Sequence, residues 1–281
     1  MEYTISITNQ CNLNCSYCYE KKMHTEYGSM SDETMQRVVN FINQRRDADT
    51  IFLFGGEPLL YKDKVRFLCE NLNARTLVIT TNGTMLDEEF IMWCAERSIV
   101  LNMSHDGAKC AERGVDTKLL DEKAKLLVKH QTNTLFQLVY TEETLPYLYD
   151  NILHLKNLGA KKVSASLDAN ANPADIDQFG NIMYEQWRKI ARIPNLRILE
   201  LVQKRDQING KQSARTAGMK ENDRLIAIKI AVFQEVFPCP VCFISFPRRS
   251  AISRTFRRGR STRSGPPRSS RARTRAGRGS C

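Results

Sequence analysis

At 281 residues the chain can hold one barrel-sized α/β domain, or one domain and an appendage. The net charge of +11 comes from the 12 arginines of residues 243–281, a stretch without Lys, Asp or Glu; residues 1–242 carry 30 basic against 31 acidic groups, so the charge implies nothing about the partners of the body. Nine cysteines, an odd number with three crowded together, exclude a simple disulfide framework and suit a reducing cytoplasm.

Met1-Glu2-Tyr3 leads at once into a strand-like run over residues 3–8, so no basic-plus-apolar signal segment and no export are expected. Cys11, Cys15 and Cys18 follow directly. A helix is predicted from Asp32, capped by Ser31, because Met35, Val38, Val39 and Ile42 share one face and Asp32 and Glu33 suit its positive end. Residues 51–54 read as a buried parallel strand that ends in Gly55-Gly56-Glu57-Pro58. Next come a helix over 63–73 with Val65, Leu68 and Leu72 inward, a strand over 76–80 ending in Thr81-Asn82-Gly83, and a helix burying Phe90, Trp93 and Cys94. A strand over 99–103 ends in Ser104-His105-Asp106-Gly107. A helix with Leu120, Ala124, Leu127 and Val128, a strand over 134–140, a helix with Leu148, Ile152 and Leu155 stopped by Gly159, a strand over 162–167 and a helix from about 174 to 190 complete the series.

Six β/α units predict an α/β fold, a partial (β/α)6 TIM-like barrel with right-handed crossovers over residues 1–200 and its polar residues gathered at the C-terminal ends of the strands. Residues 201–242 keep a mixed composition, with a possible strand over 196–201 and a Pro/Cys-rich stretch over 237–242. Residues 243–281 are Arg/Ser/Gly/Pro-rich and cannot bury enough apolar surface to fold, so an irregular or disordered C-terminal extension is expected. Lys229, Gln234, Glu235, Pro238 and Pro240 interrupt the apolar run over 225–246, and no membrane span is expected there.

The C-x3-C-x2-C triplet offers three thiolates to one small volume, which suits a cluster of four irons and leaves one iron without a protein ligand. A structural zinc site wants four ligands, and His24 is the single nearby candidate for the fourth. Two glycines after a buried strand permit close approach of a ligand to main-chain carbonyls, and Pro58 stiffens the exit.

With Tyr19 and Glu20 after the triplet, and with Gly55-Gly56-Glu57-Pro58 after the second strand, residues 3–190 resemble the radical S-adenosylmethionine (SAM) superfamily, most closely its SPASM-type peptide and protein maturases, which include anaerobic sulfatase-maturase-like proteins. The resemblance implies that Cys11, Cys15 and Cys18 ligate a [4Fe–4S] cluster and that SAM chelates the fourth iron through its amino and carboxylate groups. Gly55, Gly56 and Glu57 would then hold the SAM ammonium. An electron from the cluster would cleave SAM to methionine and a 5′-deoxyadenosyl radical, which takes a hydrogen from the substrate.

Ser104-His105-Asp106-Gly107 is similar to the Ser-Leu-Asp-Gly of peptide-modifying members, where the serine contacts SAM and the acid faces the active site, so Ser104 is expected on the cofactor and Asp106 is the expected catalytic residue. The chain departs from that pattern at His105, which is expected to be a packed or exposed histidine. Arg113 fits the position of an arginine that pairs with the SAM carboxylate. Asn82 and the strand-end residues Gln137, Tyr140, Ser166 and Asp168 are expected to line the same rim. Cys69 and Cys94 read as small buried hydrophobes. Cys239 and Cys242 form a C-x2-C pair where related maturases begin their auxiliary SPASM domain, but an intact domain of that type needs more cysteines than remain.

Expected partners are a peptide or protein substrate and an external electron donor such as flavodoxin or ferredoxin. A radical SAM enzyme acting on a small molecule or RNA is one alternative, and a catalytically silent nucleic-acid-binding protein acting through the Arg-rich tail is another. The abrupt switch to arginine alone also has the look of an altered reading frame after about residue 220, in which case the tail is not native and SAM cleavage is slow and uncoupled.

Overall fold

The structure, a computed structural model, describes residues 1–21, 28–109, 112–131 and 133–202. Strands and helices alternate: β1 Glu2–Ser6, α1 Asp32–Arg45, β2 Thr50–Phe54, α2 Lys62–Asn71, β3 Thr76–Thr81, α3 Glu88–Glu96, β4 Val100–Ser104, α4 Thr117–His130, β5 Leu135–Tyr140, α5 Leu148–Asn157, β6 Lys162–Leu167, α6 Ile176–Ile190 and β7 Arg197–Ile198. The strands form one sheet in the order β1-β2-β3-β4-β5-β6-β7, every neighbouring pair parallel. Sequential strands being spatial neighbours, each helix returns the chain across the sheet by one step. Among the described residues nothing pairs β1 with β7, so the barrel is partial, as expected.

Period-two alternation decides which side chains meet. Ile5, Leu53, Ile79 and Leu101 stand in register across β1 to β4, and Met103, Phe136 and Val163 across β4 to β6. These residues join one apolar core with Val39 and Ile42 of α1, Leu68 of α2, Phe90 of α3, Leu127 of α4, Leu155 of α5 and Met183 of α6. Each fully buried Leu or Ile contributes about 1.5–3 kcal/mol. The alternate rows turn polar toward the strands' C-terminal ends: Thr80 pairs with Asn102, and Ser104, Gln137 and Ser164 lie side by side.

Tyr140 shares the parity of Phe136 and Leu138 and is fully buried in the core, so it does not line the rim as expected. Cys69 and Cys94 are buried in α2 and α3, as expected. Ser31 caps α1, its side chain accepting from Thr34 N at 3.2 Å. Sequence periodicity did not reveal the short 3-10 turns Pro58–Tyr61 and Leu145–Tyr147, each begun around a proline. β1 ends at Ser6 rather than residue 8, because Thr8 turns to an antiparallel bridge with Ser29. No helix among the described residues is long and apolar enough to cross a membrane. His24, Cys110, Cys239, Cys242, the apolar run over 225–246 and the Arg-rich tail lie outside the described residues.

Candidate functional site

The cysteine loop begins as a continuation of the sheet. Ile7 N donates to Phe54 O at 2.9 Å, Gly56 N to Thr8 O at 2.8 Å and Glu57 N to Gln10 O at 2.8 Å, which brings the chain to Cys11 still bonded to the end of β2. The glycines are required by that closeness. Gly55 has φ +139°, and a Cβ there would stand 2.3 Å from Thr8 O; at Gly56 it would stand 2.2 Å from Gln10 O. The sequence pointed to close approach of a ligand, and the close approach in the structure is by the chain's own loop.

Glu57 is fully buried. Its Oε1 accepts from Leu59 N at 2.9 Å and Thr81 Oγ1 at 2.7 Å, and Oε2 from Asn82 N at 2.6 Å. Burial raises the carboxyl pKa, against the pull of those three donors. The side chain therefore clamps the end of β2 to the end of β3, and what Glu57 offers the loop is its main chain. Asn82, also buried, reaches from β3 to the loop: Nδ2 donates to Asn12 Oδ1 at 2.8 Å and lies 3.8 Å from Cys11 Sγ, while Asn12 Nδ2 donates to Thr84 Oγ1 at 2.8 Å.

At the end of β4, Ser104 is half-buried, and Asp106 is 2% exposed and bonded on both oxygens. Oδ1 accepts from Arg113 Nη2 at 2.9 Å and Val139 N at 2.9 Å, and Oδ2 accepts from the Tyr17 hydroxyl. Arg113 Nε lies 2.7 Å from Oδ2 but off its N–H axis, which leaves that buried nitrogen without an aligned acceptor. Burial opposes the arginine's charge, yet Asp106 more than offsets it and holds the Arg113 pKa above its usual value. Arg113 thus commits its charge to Asp106, and Asp106 is enclosed rather than open to a substrate. Both facts fit a positioning role better than the catalytic and SAM-carboxylate roles that the resemblance implied. Gln137 is half-buried beside Ser104, Ser166 is exposed on the same sheet face, and Asp168 accepts from Asn170 N at 2.9 Å in the turn after β6.

His105 points the other way, into the helices, and is fully buried as a packed histidine. Its Nε2 lies 2.9 Å from Asp121 Oδ1, to which His154 Nε2 also comes at 2.8 Å, and its Nδ1 accepts from Gly107 N at 3.1 Å. These three side chains could surround an ion. The bond from Gly107 argues otherwise: a ligating Nε2 would leave the proton on Nδ1, facing another N–H. The arrangement is a carboxylate taking two imidazole N–H bonds, and burial lowers the His105 pKa despite that acid.

Cys11, Cys15 and Cys18 are half-buried and form no disulfide among the described residues. Burial raises the pKa of Cys11 and Cys15, and each is raised further by the nearby thiols; Arg113 acts in the opposite direction on Cys15. Among the described residues the three sulfurs do not close into a group within 4.8 Å of one another. One tetrahedral ion at a bond length of about 2.3 Å would hold them roughly 3.8 Å apart, so the spread fits a larger, multi-iron group.

Residues 5–109 match the family model of the Radical SAM superfamily. The cysteine-type anaerobic sulfatase-maturating enzyme of Clostridium perfringens (strain 13 / Type A) is 28% identical over 156 residues, 48% of this chain and 42% of that one. The GTP 3′,8-cyclase of Clostridium perfringens (strain SM101) is 24% identical over 225 residues, 73% of this chain and 62% of that one. The chain therefore spans less than two thirds of either relative. The solved structure of native anSMEcpe with bound AdoMet and Cp18Cys peptide shares the fold, with a TM-score of 0.60 at 22% identity over 74% of this chain and 65% of that one.

Over residues 5–109 the chain is thus similar to radical SAM proteins, an enzyme class that uses a [4Fe–4S] cluster and SAM. Within that class its likenesses include SPASM-type maturases and also a GTP cyclase.

Sequence reading missed Tyr17 and favoured Tyr19, its neighbour across Cys18. Tyr19 is 67% exposed, whereas Tyr17 reaches Asp106. Asn12, Ser16, Thr84 and Glu112 were also missed, since isolated polar loop residues carry no periodic signal. The position of Tyr17 between two candidate ligands was the available clue.

Proposed function

We propose that this is a radical SAM enzyme in which Cys11, Cys15 and Cys18 hold three irons of a [4Fe–4S] cluster and SAM takes the fourth. The observation that carries the reading is the placement of three half-buried thiols at the C-terminal edge of a parallel sheet, spread wider than one ion allows. Main-chain groups of Gly55, Gly56 and Glu57 would meet the SAM ammonium, with Asn82 and Ser104 beside them. When bound, the cluster supplies the electron that breaks a carbon–sulfur bond of SAM. The chain's own part is to present the thiolates, orient SAM and keep water from the radical.

The substrate we assign is a peptide or protein side chain. The likeness to a sulfatase-maturating enzyme and to a peptide-bound structure supports it. The likeness to a GTP cyclase supports a small-molecule substrate as the second reading. A flavodoxin or ferredoxin would supply the electron in a reducing cytoplasm, which the free cysteines suit.

Anaerobic reconstitution of the full chain should load about four irons. Reduction with SAM should then release 5′-deoxyadenosine, and Cys15→Ala should abolish both. A well-loaded cluster that leaves SAM intact refutes the assignment. Faster deoxyadenosine release with GTP than with candidate peptides would favour the second reading.

A further inference from the structure

The sheet holds the cysteine loop only as far as Cys11; beyond it a second anchor combines one main-chain bond with several side-chain bonds. Ser16 N donates to Glu112 O at 2.9 Å, and Ser16 Oγ donates to the Glu112 carboxylate. Tyr17 donates its hydroxyl to Asp106, and the Arg113 guanidinium carbon lies 5.7 Å from the centre of the Tyr17 ring. Asp106 is in turn bonded to Arg113 and to the β5 backbone at Val139. One carboxylate thus joins the segment between Cys15 and Cys18 to β4, to the connection that precedes α4 and to β5.

We propose that Tyr17, Asp106 and Arg113 form a latch that sets Cys15 and Cys18 in place before any cluster is present. Tyr17 is the positioning residue at its centre. The proposal rests on the reading of the three cysteines as cluster ligands.

The physical case is that the carboxylate and guanidinium are both buried, at 2% and 7% exposure. A buried ion pair is strongly directional, and removing a group that completes it leaves charge without compensation. The phenol is the donor that Tyr17 contributes to this pair. A phenylalanine at position 17 would fill the same space and remove that tie, while the bonds from Ser16 to Glu112 remain.

The test is hydrogen exchange of the reduced, metal-free full chain, read by mass spectrometry for Tyr17→Phe against the wild type. Exchange over residues 14–18 should quicken about tenfold, the loss expected for one hydrogen bond to a charged group, while the sheet-bonded residues 7–10 keep their rate. Asp106→Asn should have a larger effect in the same segment; if that variant does not fold, Tyr17→Phe, which removes a single oxygen, decides alone. As a second readout, iron bound per chain at limiting iron should fall in Tyr17→Phe. Unchanged exchange over residues 14–18 in Tyr17→Phe overturns the latch, whatever the cluster does. If exchange responds but the wild type never takes up iron, the latch stands and the cluster assignment fails.

Discussion

Cys11 leaves the sheet within three residues of the last main-chain bonds to the turn after β2, at Thr8 and Gln10, whereas Cys15 and Cys18 lie where, beside one main-chain bond from Ser16 to Glu112, the fastening is made by side chains, those of the β4–α4 connection included. The two halves of one short loop are therefore held by different physics. Main-chain bonding asks only that nothing intrude, so its sensitive residues are glycines. Side-chain bonding asks for particular donors and acceptors, so its sensitive residues are Tyr17, Asp106 and Arg113. The first anchor should fail by steric intrusion and the second by loss of a single polar atom.

Substitutions can break this contrast in graded steps. Gly56→Ala should do most, because its Cβ would meet Gln10 O at 2.2 Å and backbone cannot swing aside. It should cost about 3 kcal/mol in urea unfolding and most of the iron uptake. Glu57→Gln should cost about 2 kcal/mol, since a neutral amide cannot serve all three donors now bonded to the carboxylate. Asn82→Ala should cost about 1 kcal/mol and quicken exchange near Cys11 and Asn12, leaving Ser16 as it was. Equal quickening at both ends of the loop would mean that it moves as one body.

The smallest effect is a pH dependence that leaves both anchors alone. His105 has a lowered pKa when folded, so between that value and about 6.5 the unfolded chain binds a proton that the folded chain refuses. Its stabilising contribution is whole above about pH 6.5 and shrinks as the pH falls below it. The urea midpoint should drop from pH 7 to 5.5, and His105→Leu should flatten that slope while lowering the midpoint at pH 7. Asp121, His154 and Asp106 face or flank the ring. An unaltered slope in His105→Leu would refute the assignment to His105.

The strands and helices were legible because apolar periodicity and caps are local. Ser31 and the face of Met35, Val39 and Ile42 specified α1 correctly, and the spacing of three cysteines marked the loop. Which polar side chains turn inward was less legible, because it depends on partners far along the chain. Asp106 meets Tyr17 across 89 residues, and Glu57 meets Asn82 across 25. Tyr140 was misplaced although its parity with Leu138 was visible, since a polar tip at a strand end drew attention from the alternation. His105 departed from the resembled pattern, and its partners Asp121 and His154 come from two different helices.

The absence of side chains at Gly55 and Gly56 has a practical consequence for transplanting this loop. Residues 11–18 excised as a peptide, or grafted onto another strand end, would bring the thiols but not the bare backbone wall at Gly55 and Gly56 against which residues 8–10 rest. The portable unit is the loop together with that wall, two segments well separated in the chain, and a graft that omits the second should bind iron no better than an unstructured cysteine peptide.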